Sequence, residues 1–179
     1  MNKKLSLEEL GRLDAEDYKD VPKLDLVVVL DNVRSMHNVG AVFRTSDAFR
    51  IKEIVLCGFT PTPPHRDIRK VALGATETVS WRQEESATSA SIELKSQGYH
   101  IISIEQTEGS CDLATFTSDP KQKYAVVFGN EVDGVNQEII DISDTCIEIN
   151  QFGTKHSLNV SVCAGIVLWS ISKDLLSLH

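Results

Sequence analysis

The sequence predicts an α/β domain built on a mostly parallel sheet with helices on both faces. Three observations predict it. Two runs, 26–30 (LVVVL) and 124–128 (YAVVF), are apolar without alternation, as central strands covered on both sides must be. Short β-branched runs alternate along the chain with helix-like stretches, the order of a doubly wound sheet. The chain has 179 residues, 41% hydrophobic and 25% charged, which suits one core of ordinary domain size.

Each element has a local reason. Residues 6–13 predict a separate short helix, because Ser6 and Glu9 have the spacing of a capping box. A linker rich in Lys and Asp and containing Pro22 follows, so residues 1–22 read as an extension and 23–179 as the main domain. Strands are expected at 26–30, 54–57, 78–81, 101–104, 124–128 and 146–149, the β-branched runs. Asn38 is the N-cap candidate for a helix over 39–49. The proline-rich stretch 58–66 (GFTPTPPHR) reads as a loop before a short helix at 68–73. Helix 87–97 stops before Gly98. A short acidic helix at 136–142 and a long apolar one at 158–176 complete the chain.

Composition narrows the function classes. The net charge is −8, which argues against attachment to nucleic acid by bulk electrostatics. A local basic patch remains open, with Arg44, His65, Arg66, Arg69, Lys70, Lys155 and His156 as candidates. The four cysteines (Cys57, Cys111, Cys146 and Cys163) form no C-x-x-C pair, so no zinc or redox motif and no metal are expected. The start MNKKLSLEEL has no apolar leader, and no run is long enough to span a bilayer. No membrane partner is expected, and a reducing cytoplasm is the expected location.

Three polar segments interrupt the apolar pattern, each after a strand-like run, where open α/β sheets bind ligands. The first is 32–44 (NVRSMHNVGAVFR), with Arg44 one helical turn beyond Gly40. A capped helix with a surface arginine is its plainer reading. The second is 126–135 (VVFGNEVDGV), where Gly129 admits close approach to the backbone. It has neither the ending of a P-loop nor the G-x-G-x-x-G fingerprint, and a strand–turn–helix link with solvated acids explains it equally well. The third is 149–162 (INQFGTKHSLNVSV), which carries Ser157, Asn159 and Ser161 into the most apolar helix. Such groups must cap, pair or meet a ligand. Simple capping suffices for Ser157, whereas Asn is a poor residue just inside a buried helix.

Together the segments resemble the three motifs of the SpoU (TrmH) family in the SPOUT methyltransferase superfamily. The first motif reads Asn38, Gly40-Ala41 and Arg44; the second Phe128-Gly129-Asn130-Glu131 with Gly134. The third reads Ile149, Gly153 and Ser157-Leu158-Asn159-Val160-Ser161. Order, spacing and strand–loop context agree over about 26–172. One departure is that Asn150 and Gln151 stand where the family usually has Pro and Met.

The resemblance implies a SPOUT-type sheet with a C-terminal deep trefoil knot, and a homodimer that methylates a ribose 2′-hydroxyl of RNA. It implies S-adenosylmethionine as cofactor, held near Phe128, Gly129, Asn130, Ile149, Gly153 and Leu158. It implies catalytic roles for Arg44, Asn38, Glu131, Ser157 and Asn159. A guanidinium stays protonated at neutral pH, so an electrostatic role suits Arg44 better than proton abstraction. Arg66, Arg69 and Lys70 are the candidates for phosphate contact, with a solvated helix start as the plainer reading. With no appended RNA-binding domain in view, tRNA is favoured over rRNA. A non-catalytic RNA- or cofactor-binding module on the same fold is the alternative.

Overall fold

The computed structural model describes residues 2–6 and 8–176. Seven parallel strands form one sheet. In chain order they are β1 (Leu24–Asp31), β2 (Ile51–Cys57), β3 (Ser80–Glu84), β4 (Tyr99–Ile104), β5 (Cys111–Asp112), β6 (Lys123–Phe128) and β7 (Thr145–Glu148). Their order across the sheet is β3-β2-β1-β6-β4-β7-β5. The helices are α1 (Ala15–Asp20), α2 (Met36–Ala48), α3 (Arg66–Ala72), α4 (Ala75–Thr78), α5 (Ala87–Ser96), α6 (Gln137–Ile142) and α7 (Val160–Leu176). No described helix is long and apolar enough to cross a membrane.

The two continuous apolar runs become adjacent central strands. Leu24, Leu26, Val28 and Leu30 of β1 face one core with α2, α3 and α7. Val27 and Val29 face the other, with α5 and α6. In β6, Tyr124, Val126 and Phe128 join the first core, and Ala125 and Val127 the second. Side chains alternate across a strand, so burial on both faces requires an unbroken apolar run. Truncating Leu30, which is fully buried, would cost about 2–5 kcal/mol.

Several local expectations change. Thr78 ends α4, and the third strand begins at Ser80. The side chain of Ser35 accepts the Asn38 amide and caps α2, so Asn38 lies inside the helix. The reciprocal Ser6–Glu9 bonds form (2.7 and 3.2 Å), but residues 8–11 make only a turn. Leu7, within the expected 6–13 helix, lies outside the described residues. The helix of this region is α1, capped by Asp14 and tied to the domain by Tyr18, whose hydroxyl donates to the Asp47 carbonyl (2.8 Å). Arg66, placed by sequence in the proline loop, opens α3.

Candidate active site

The switch in strand order falls between β1 and β6, beside the carboxyl ends of β4, β6 and β7. A cavity of about 680 Å³ opens there, in the range of small-molecule sites. Apolar groups from strand ends and loops form part of its wall: Ile104, Phe128, Ile147, Ile149 and Leu158. Glu105, Glu131, Asp133 and Glu148 are its acids; no Lys or Arg lines it among the described residues.

Hydrogen bonds knit the three polar segments together beside this cavity. Glu131 Oε2 accepts from the Arg34 amide (3.0 Å), and Oε1 from the Ser35 amide (3.3 Å) and Asn38 Nδ2 (3.0 Å). Asn38 Oδ1 in turn accepts from Asn159 Nδ2 (3.1 Å). Both ends of the buried Asn38 amide are therefore paired, as a buried polar group requires. Asn159 Oδ1 accepts from the Ser161 and Val162 amides (2.9 and 3.3 Å). Asn159 therefore caps α7, the role the sequence suggested for Ser157. Burial opposes the charge on Glu131, but its hydrogen bonds from Arg34, Asn38 and Ser35 outweigh it. Its carboxyl is held below the ordinary 4.5.

Gly40, Gly129 and Gly134 serve the chain's own packing. A Cβ on Gly40 would sit 2.7 Å from the Ile68 carbonyl oxygen, so this glycine lets α2 and α3 meet. A Cβ on Gly129 would meet the Gly134 carbonyl carbon at 2.1 Å. The 130–134 turn closes there through reciprocal Asn130–Gly134 backbone bonds of 3.0 Å, with Gly134 at φ +71°.

Phe128, Gly129, Asn130, Glu131, Ile149, Ser157, Leu158 and Asn159 all line the cavity. Asn38 lies behind Glu131 and Asn159, bonded to both. Gly153 is exposed and outside the cavity wall. Arg44 is exposed in the third turn of α2 and likewise stands apart from that wall. Arg66, Arg69 and Lys70 are exposed on α3, where Arg69 is 4.0 Å from Glu77. Asn150, at the departure from the family pattern, donates to Asp112 Oδ2 (2.6 Å) and ties its loop to β5, while Gln151 reaches the cavity.

Sequence reasoning missed Glu105 and Asn32. Glu105 Oε2 accepts the Val135 amide (2.9 Å) and lies where a Gly134 side chain would be. It is the first polar residue after the predicted strand 101–104, the same signal that marked the other three segments. Burial and Glu105 together push the Cys163 thiol in the cavity wall up to about 11, so it stays protonated at neutral pH. Asn32, at φ +53°, accepts the Phe59 amide (3.2 Å) and joins the loops after β1 and β2.

Comparisons with known proteins bear on the family and the fold. The model of the SpoU rRNA Methylase family matches residues 25–169. A 23S rRNA (guanosine-2′-O-)-methyltransferase from Neisseria meningitidis is 34% identical over 143 residues, 80% of this chain and 56% of that protein. The tRNA (guanosine(18)-2′-O)-methyltransferase of Aquifex aeolicus is 30% identical over 84% of this chain and 70% of its own length. The crystal structure of the A. aeolicus TrmH/SpoU tRNA modifying enzyme superposes with a TM-score of 0.80 at 26% identity, covering 91% of this chain and 81% of that one. An AdoMet-bound rRNA methyltransferase from Sinorhizobium meliloti gives 0.78 at 26% identity, covering 88% and 60%. On its motifs, its sheet and these matches, the chain belongs to the SpoU rRNA methylase family.

Proposed function

We propose that this protein transfers a methyl group from S-adenosylmethionine to a ribose 2′-hydroxyl of RNA, as a homodimer. The observation that carries the reading is the Glu131–Asn38–Asn159 chain of hydrogen bonds, which holds all three motifs against one cavity. The cavity suits the cofactor: apolar walls for a flat base, and acids without Lys or Arg for a ligand bearing a sulfonium and an ammonium. Phe128, Gly129, Asn130, Ile149 and Leu158 would hold it.

When bound, S-adenosylmethionine supplies an electrophilic methyl group. The protein's task is then to align the 2′-oxygen and ease loss of its proton. Arg44 binds the adjoining phosphate and lowers the hydroxyl's pKa by its fixed positive charge, and a phosphate oxygen or water takes the proton. Asn38 and Glu131 fix the α2 entrance, and Ser157 and Asn159 shape the loop above the cavity. Arg66, Arg69 and Lys70 contribute phosphate contacts.

Two features support a dimer. Arg44 is exposed, away from the cavity of its own chain. Val162, Ile166 and Trp169 form an exposed apolar stripe on α7, whose other face is packed in the core. A partner covering that stripe brings its own Arg44 toward the cavity. The C-terminal part is proposed to be knotted: after β7, beyond β4 in the sheet, the chain returns to pack α7 on α2 and β1. Residues 23–179 form the catalytic domain and 1–22 an extension. Four unpaired cysteines suit a reducing cytoplasm. A tRNA target is favoured over rRNA, because the tRNA (guanosine(18)-2′-O)-methyltransferase of Aquifex aeolicus is matched over 70% of its length and the N. meningitidis rRNA enzyme over 56%.

Subunit mixing tests the reading. Arg44→Ala chains are refolded with chains whose cavity is blocked by Leu158→Trp at its partly exposed wall, and methyl transfer to total RNA is measured with labelled cofactor. If Arg44 acts across the dimer, equal mixing restores about a quarter of wild-type activity, since half the dimers carry one complete site. No restored activity would reject the shared site, and no ribose methylation by wild type would reject the reaction.

A further inference from the structure

Outside the cavity, the loop after β2 displays an exposed aromatic side chain. Phe59 is 57% exposed, yet its backbone is firmly held. Its amide donates to Asn32 Oδ1 (3.2 Å). The neighbouring Thr60 is buried, where its hydroxyl meets the Leu30 and Cys57 carbonyls (3.1 and 2.7 Å) and accepts the Val33 amide (3.1 Å). The Arg34 guanidinium lies over the Phe59 ring, 5.7 Å from its centroid. Among the described residues Arg34 has no ion-pair partner. Its own amide is held by Glu131, the carboxylate that also holds Asn38.

A flexible loop could hide an exposed ring, but a loop anchored on three sides cannot. From these residues we infer that Phe59 and Arg34 form a platform for one unpaired RNA nucleotide next to the methylated ribose. The base stacks on the Phe59 ring, and the guanidinium takes the adjoining phosphate. Flat aromatic rings bind bases of any sequence, and cations beside them bind the backbone. A nucleotide supplies both a flat ring and an anion. The location is apt, because Glu131 links the platform directly to the cavity rim. The unpaired state follows from the geometry, since a base within a duplex offers no free face to a side chain.

This inference rests on the RNA reading above, so its test separates the two. Binding of a fluorescein-labelled, single-stranded RNA 12-mer of mixed sequence is followed by anisotropy across salt concentrations. Phe59→Ala should weaken binding roughly tenfold with an unchanged salt slope, and Phe59→Trp should restore it. Arg34→Ala should reduce the slope by about 0.7, one phosphate's worth on a single strand. In methyl transfer to total RNA, Phe59→Ala should raise KM for RNA and leave kcat and the calorimetric affinity for S-adenosylmethionine near wild type. Equal RNA affinity of wild type and Phe59→Ala would overturn the platform. A wild-type enzyme that binds the 12-mer through Phe59 but methylates no RNA would overturn the reaction and leave the platform standing.

Discussion

Asn38 and Arg44 lie on one helix, less than two turns apart, and the structure treats them in opposite ways. Asn38 is buried and has both ends of its amide paired within the chain. Arg44 is exposed, with no ion-pair partner among the described residues and no place in the cavity wall. The contrast extends to α7. Its start is capped and locked to Asn38 through Asn159, whereas Val162, Ile166 and Trp169 on the same helix are left in solvent. The lesson is a division of labour. One chain completes the half of the site that shapes the cavity, and the half proposed to act on RNA or a second subunit is left exposed.

The largest expected effect falls on the open half. Arg44→Ala should lower methyl transfer at least about a hundredfold, the scale of losing one transition-state charge contact, while calorimetry shows cofactor affinity unchanged. If cofactor binding falls in parallel, the division between halves is wrong. Next, if the proposed dimer covers the α7 stripe, Trp169→Glu should shift sedimentation from dimer to monomer and remove activity with it. A dimeric, active variant would show that the apolar stripe has another purpose.

The closed half should answer in stability as well as rate. Asn38→Ala strips a donor from Glu131 and an acceptor from Asn159. Denaturant unfolding should show a loss of about 1–3 kcal/mol, and Asn38→Asp should recover little, because it faces the Glu131 carboxylate. The smallest effect is a pH dependence. The folded Glu131 carboxyl titrates below its ordinary 4.5, so its ionised form favours the fold. That contribution is present above 4.5 and is lost as pH falls through the lower folded value. Glu131→Gln should flatten the acid limb of a stability–pH curve in that window. An unchanged limb would mean that the contacts of this exposed carboxylate are screened by solvent.

Much of this was legible along the chain, for identifiable reasons. LVVVL and YAVVF declared central strands because burial on two faces leaves no position for a polar residue. The three motifs were legible because polar groups stood where apolar pattern stopped. Asn38 was misplaced as a cap because capping residues look alike in sequence. Ser35, three residues earlier, has the same chemistry, and only the backbone path decides between them. Gly129 reads in sequence as room for a ligand, because sequence cannot show that Gly134 crowds the missing Cβ.

The sequence by itself determined the central strands and the longer helices, and which residue types wait at strand ends. Those are local properties, set by periodicity and by the hydrogen-bonding needs of each short stretch. Only the tertiary structure decided that β6 enters between β1 and β4, and that Glu131 and Asn159 meet Asn38 across 93 and 121 positions. Contacts at such separations follow from strand order and loop packing, which satisfy the whole core at once and leave no mark on any single segment.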